Sequence, residues 1–133
     1  IPHIETLKKY WNGLILIKSN ILIVGRLNGT IAGASQISFY PPNNEAQKNI
    51  SKIQSHFVAP WARGYGLAKA MIDRALEISK ENNKKSIQLD IRETQLAAIQ
   101  LFENKGFSKW GENPSYAFIN GTRIKGYYYF KDL

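Results

Sequence analysis

The period of the hydrophobic positions changes several times along the chain, and each change marks an element. Ile21 to Leu27 reads as a strand and Thr30 to Tyr40 as the returning strand, with Asn28-Gly29 between them. Asn-Gly in that place predicts a type I′ hairpin, whose two turn residues both need positive φ. Pro41 to Asn49 is polar, contains two prolines and predicts a loop. Ile50 to Val58 reads as a strand, with Ile53, Ser55 and Phe57 on one face and Gln54, His56 and Val58 on the other. Pro60 ends it. From Gly66 to Asn82 the period becomes 3.6: Leu67, Ala68, Met71, Ile72, Ala75, Leu76 and Ser79 form one stripe, and charged residues cover the rest. Asn82-Asn83 stops this helix. Ser86 to Ile91 alternates again through Ile87, Leu89 and Ile91. Gln95 to Lys105 is a second helix, and Gly106 stands where a left-handed residue commonly ends one. Phe107 to Gly111 and Ile124 to Phe130 are the last strands, with Asn120-Gly121 in a turn between them. Upstream, Thr6 to Gly13 reads as the end of a helix, and Leu14 to Ile17 is apolar.

This order predicts an α/β (α+β) fold: a mixed sheet with helices packed on it. The central strand–helix–strand unit should be a right-handed crossover between parallel neighbours. A chain of 133 residues suits a single domain spanning 1–133.

Composition narrows the chemistry. The chain has no cysteine, which excludes disulfides, thiolate metal sites and a cysteine nucleophile, and it fits a cytoplasmic location. No metal site is expected. No apolar run reaches the roughly 18 residues that a membrane-spanning helix needs, so no membrane partner is indicated. The net charge of +8 suits an anionic partner. The lysines are scattered, however, and no helix or strand is lined with basic and aromatic residues, so a nucleic-acid partner is not indicated. The chain opens at Ile1-Pro2 without a methionine, as a fragment or processed product would.

The stretch Val58-Ala-Pro-Trp-Ala-Arg-Gly-Tyr-Gly-Leu-Ala68 poses the functional question. Two glycines, poor helix formers, stand where a helix must start. A helix N-terminus offers unpaired N–H groups and a positive dipole end, and glycine lets an anion approach that backbone closely. Arg63 adds a guanidinium. A dinucleotide fingerprint would need a small residue where Lys69 stands, and no Gly-Lys-Ser/Thr is present for a nucleoside-triphosphate loop.

Val58-x-Pro60-x-x-Arg63-Gly64-x-Gly66-Leu67-Ala68 closely resembles motif A of the GNAT acetyltransferases, whose core is Arg/Gln-x-x-Gly-x-Gly/Ala. The stretch from Ala97 to Phe107 resembles the family's second coenzyme-facing helix and the strand after it. The segment from Trp110 to Gly121 and the terminal Tyr-Tyr-Tyr-Phe-Lys-Asp-Leu resemble the closing strands. The resemblance implies the GNAT fold: a mostly antiparallel twisted sheet, helices on both faces and a splayed central parallel pair. The family's first strand and helix would then be missing from this chain.

The resemblance also implies an N-acetyltransferase that moves an acetyl group from acetyl-CoA to a primary amine of a small molecule, by direct attack in a ternary complex. Alternatives are an enzyme acting on protein N-termini or lysines, and a degenerate domain that binds acyl-CoA without turnover. Backbone groups of Phe57 and Val58 would hold the pantetheine arm, and the Val58 N–H would polarise the thioester carbonyl. Backbone N–H groups of Arg63, Gly64, Tyr65, Gly66, Leu67 and Ala68 would hold the pyrophosphate.

The amine must lose a proton. The motif A strand has no carboxylate, which leaves His56 as its one side chain able to act as a base near neutral pH. Glu93 and Glu112 are further candidates. Where the family often carries a tyrosine that protonates the thiolate, this chain has Phe102, and a frequent asparagine corresponds to Gln95. Tyr116, Tyr127, Tyr128 or Tyr129 would have to supply that proton. Alternation puts Tyr127 and Tyr129 on the face opposite to Tyr128. If one sheet edge is uncovered, a homodimer could form through it.

Overall fold

The computed structural model describes residues 20–133. The helix end expected over 6–13 and the apolar stretch 14–17 lie outside that range. β1 (Asn20–Leu27) and β2 (Thr30–Phe39) form the expected hairpin. Asn28 and Gly29 have φ of 53° and 78°, as a type I′ turn demands. β3 (Ile50–Val58) follows the polar loop and leads through a 3₁₀ turn, Pro60–Ala62, into α1 (Leu67–Glu81). β4 (Ser86–Arg92), α2 (Leu96–Asn104), β5 (Ser108–Ile119) and β6 (Thr122–Asp132) complete the chain. Gly66 and Asn82, expected as the first and last residues of the helix, are its caps instead.

One six-stranded sheet runs in the order β1-β2-β3-β4-β6-β5. Every neighbouring pair is antiparallel except β3 and β4. Both described helices pack on the same face, where helices on both faces were expected. Ser79 of α1 and Ser51 of β3 share a buried hydroxyl–hydroxyl hydrogen bond of 2.7 Å. Tyr129 of β6 donates to Glu103 of α2 at 2.7 Å, and Lys105 at the end of α2 ion-pairs with Asp73 of α1. Ile53, Ile72, Ile87, Leu89 and Phe102 fill the space between. The other face of the sheet carries Lys52, Asp90 and Tyr128, and it is the more polar side.

Two irregularities shape the middle of the sheet. The parallel pairing of β3 with β4 stops early: only Ile50, Ser51 and Lys52 have partners, in Ser86, Ile87 and Gln88. Beyond them the strands splay apart. A bulge then interrupts β3. Gln54 stands opposite Gln36 and Phe57 opposite Ala34, so Ser55 and His56 together face the single residue Ser35. Ser55 takes a φ of 53°, an uncommon value for a residue with a side chain. An extra residue reverses the alternation. The expected faces of β3 are therefore corrected: Ile53 is buried, His56 and Val58 turn toward the helices, and Ser55 and Phe57 are exposed.

Candidate active site

Two cavities open on the splay, one from each face of the sheet. The cavity on the helix side has a volume of about 870 Å³ and lies between the N-terminal halves of α1 and α2. Arg63, Gly64, Gly66, Leu67, Ala68 and Lys69 form its α1 wall; Phe57 and Val58 line it from β3. Gly64 and Gly66 have φ of 86° and 75°, and a β carbon on either would meet nothing within 4 Å. Glycine is thus required by the backbone rather than by crowding, and the space in front of it is open. The first intrahelical bond runs from the Ala70 N–H to the Gly66 carbonyl. No side chain caps α1, and its first turn has no acidic residue. Four N–H groups and two neighbouring cations, with no carboxylate in the lining among the described residues, suit an anion.

The cavity on the other face has a volume of about 440 Å³. Lys52, Gln54, Asp90, Arg92 and Tyr116 give it a polar rim, and Ile53, Leu89, Ile91 and Phe102 an apolar floor. Tyr116 reaches it by an unusual route. In β5, Asn113 pairs with Gly126 and Ala117 with Ile124, so Pro114, Ser115 and Tyr116 arch out opposite Lys125. The Tyr116 ring lies over Gly126, where any added β carbon would fall inside it. Its hydroxyl thereby crosses β6 and donates to Asp90 Oδ2 at 2.9 Å. Burial and this hydrogen bond push the Tyr116 hydroxyl up to about 12. Lys52 Nζ stands 3.7 Å from Asp90 Oδ1. The cavities meet at His56, Arg92 and Gln95, which line both.

Backbone direction in β3 decides what the splay offers. The Ala59 N–H donates to the Ala32 carbonyl on β2 at 2.7 Å. Peptide groups alternate along a strand, so the Val58 N–H and C=O point away from β2, into the gap. Phe57 is turned back toward β2: its carbonyl oxygen lies against Gly33.

The model of the acetyltransferase (GNAT) family matches residues 2–107. The chain belongs to the GNAT family. An N-acetyltransferase from the hisH-hisA intergenic region of Azospirillum brasilense is 40% identical over 94 residues, which are 71% of this chain. The match spans 56% of that protein, so the chain accounts for little more than half of its relative's length. A GNAT acetyltransferase of Streptococcus pneumoniae superposes with a TM-score of 0.83 at 22% identity, over 97% of this chain and 76% of that one. The acetyltransferase yncA of Salmonella typhimurium, solved with its cofactor acetyl-CoA, gives 0.80 at 16% identity, over 96% and 70%. At such identities the likeness is one of fold.

The residues that the GNAT resemblance singled out fall into three groups. Phe57, Val58, Arg63, Gly64, Gly66, Leu67, Ala68 and Gln95 line the helix-side cavity. Gln95 precedes α2 without spending its side chain on a cap. Tyr65 is exposed and lines neither cavity, and Phe102 lies on the opposite cavity's floor. Backbone contact with a coenzyme, expected from both Phe57 and Val58, is open to Val58 alone.

The acid and base candidates are redistributed more strongly. Glu93 lines neither cavity; its Oε2 accepts the Lys125 N–H at 2.6 Å. Glu112 is exposed and paired with Lys109 at 3.0 Å. Tyr129 faces the helices with Tyr127, as alternation predicted, and its proton is committed to Glu103. Tyr128 lies on the other face, against Trp110 and Tyr116. Tyr116, at about 12, is a poor proton donor to a thiolate. Sequence reasoning passed over Lys69, Arg92 and Asp90. The signal for the last two was the polar half of Gln88-x-Asp90-x-Arg92, which alternates with the apolar half of β4.

His56 stands at the junction, its ring edge-to-face with Phe102 at 5.5 Å between centroids and its Nδ1 without a partner among the described residues. Burial lowers its pKa to about 4, so it is neutral at pH 7 and a weak base. An unfolded histidine titrates near 6.5. Between those values the unfolded chain binds more protons, and stability falls as pH falls. Relative to His56→Gln, the wild type should lose about 2 to 3 kcal/mol of unfolding free energy between roughly pH 7.5 and 4.5. Urea titrations at both pH values check this; parallel losses in the two proteins would refute a buried neutral His56.

Proposed function

We propose that this protein transfers an acetyl group from acetyl-CoA to the amine of a small molecule. The observation that carries the reading is the junction itself. An anion-binding helix N-terminus on one face and a polar cavity on the other meet at a strand edge with unused backbone groups. The coenzyme's pyrophosphate would sit against Gly64 to Lys69, and its arm would run along Val58 toward His56. That an acetyltransferase of the same fold was solved with acetyl-CoA supports this choice of donor.

In the transfer, the amine nitrogen attacks the thioester carbonyl carbon. A C–N bond forms, the C–S bond breaks, the nitrogen gives up a proton and the coenzyme thiolate takes one. The Val58 N–H stabilises the charge that develops on the carbonyl oxygen. Asp90, the one carboxylate in either lining among the described residues, takes the amine's proton directly or through water. Coenzyme A thiolate is a good leaving group and needs no strong acid. The cavity of about 440 Å³ favours a small acceptor over a peptide. A cytoplasmic location belongs to the same proposal, supported by the cysteine-free sequence; among the described residues no helix is long and apolar enough to cross a membrane.

Calorimetric titration with acetyl-CoA, followed by thiol release over a panel of small amines and peptides, tests the reading. Saturable binding and release with a small amine are expected. Absence of coenzyme binding by the folded protein would overturn it. Release with peptides alone would shift the acceptor to proteins, and binding without any release would leave an acyl-CoA-binding domain.

A further inference from the structure

We infer that the acceptor is a small amine that also carries a carboxylate. This rests on the reading of the 440 Å³ cavity as the acceptor side of the site. Its charges do not balance. Lys52 and Arg92 bring two cations, and Asp90 brings one carboxylate. Asp90 and Lys52 are already neighbours at 3.7 Å. Arg92 has no such partner: among the described residues, no ion pair or side-chain hydrogen bond includes it. The adjacent Glu93 makes no ion pair with it and lines neither cavity; its Oε2 accepts the Lys125 N–H. Yet Arg92 is only partly exposed, and it stands where the two cavities join.

A plain alkylamine would bring a third positive charge to this rim. An amino carboxylate brings both signs. Its ammonium finds Asp90, whose Oδ2 is fixed by Tyr116, and its carboxylate finds the guanidinium, whose forked N–H groups match two carboxylate oxygens. Asp90 and Arg92 are two residues apart on β4 and share a face, so their attachment points lie roughly 6.6 Å apart. Both side chains can converge on a molecule whose charges are a few bonds apart. The floor of Ile53, Leu89 and Ile91 then takes the rest of the acceptor.

Matched probes test this: alanine against ethylamine, and phenylalanine against phenethylamine. Each is titrated by NMR into the protein saturated with coenzyme A, and each is assayed for thiol release with acetyl-CoA. The amino carboxylates should bind about ten-fold more tightly than the matched amines. Arg92→Gln should erase that preference through KM, and Arg92→Lys should restore part of it. Equal or better binding of the plain amines would overturn the inference and leave the acetyl-transfer reading intact. So would failure of both amino carboxylates to bind, or an Arg92→Gln defect confined to acetyl-CoA affinity. Loss of acetyl-CoA binding by the wild type itself would bring down the transfer reading first, and the inference with it.

Discussion

Gly66→Glu is expected to abolish coenzyme binding while the protein stays folded. The glycine caps α1 in the left-handed conformation, with open space before it. A side chain there costs about 1 to 2 kcal/mol of backbone strain. A carboxylate at a helix N-terminus returns part of that through the dipole. On the acetyl-transfer reading the ligand has no such compensation, because the new charge would stand at the proposed pyrophosphate position. Juxtaposed like charges cost several kcal/mol, so acetyl-CoA affinity should fall roughly 100-fold or more. Gly66→Asn separates the two effects: asparagine tolerates positive φ and adds no charge, so it should retain most of the affinity. Calorimetry on all three proteins, with circular dichroism as the folding check, reads the result. Full affinity in a folded Gly66→Glu protein would remove the α1 N-terminus from the site.

Phe102→Ala should be the most damaging truncation for stability. Phe102 is 1% exposed, and its ring meets His56 at 5.5 Å and Phe107 at 5.3 Å, both edge to face. Truncating a fully buried phenylalanine costs about 3–5 kcal/mol, a large share of the roughly 5–15 kcal/mol that holds a typical domain. Phe102→Leu, closer in volume, should lose about 1.5 kcal/mol or less. The ring also floors the smaller cavity, so the space left behind opens directly into the gap. Urea unfolding measures both variants. A loss under about 1 kcal/mol for the alanine would mean that the ring is not packed as described.

Much of the fold was legible because strong local rules governed it. Asn28-Gly29 and Asn120-Gly121 form tight turns with positive φ at all four residues, as their chemistry requires. β3 has the bounds that its pattern predicted, and Gly64 and Gly66 are left-handed where the motif needed them. The lining of the helix-side cavity followed from that motif, because local backbone geometry makes it. The cavity on the other face did not. Ser55 has no sequence mark that announces a bulge, yet that one residue reverses the face of His56. The strand expected to end at Gly111 continues to Ile119 instead; on this edge strand Pro114 is carried by an arch, and the arch delivers Tyr116 to Asp90 across an intervening strand. Such placements depend on contacts 26 residues apart in sequence, which no local pattern encodes.

The pairing of β3 with β4 ends early. Beyond Lys52 and Gln88, two strand edges face each other across a gap with peptide groups that no neighbouring strand satisfies. A sheet interior does not ordinarily tolerate this. On the acetyl-transfer reading, the missing rung of the ladder is one that the amide-bearing arm of acetyl-CoA would supply. Occupancy would therefore close the sheet as well as fill a site. Amide hydrogens such as that of Val58 should exchange quickly in the empty protein and slowly in the loaded one, and the melting temperature should climb with coenzyme concentration.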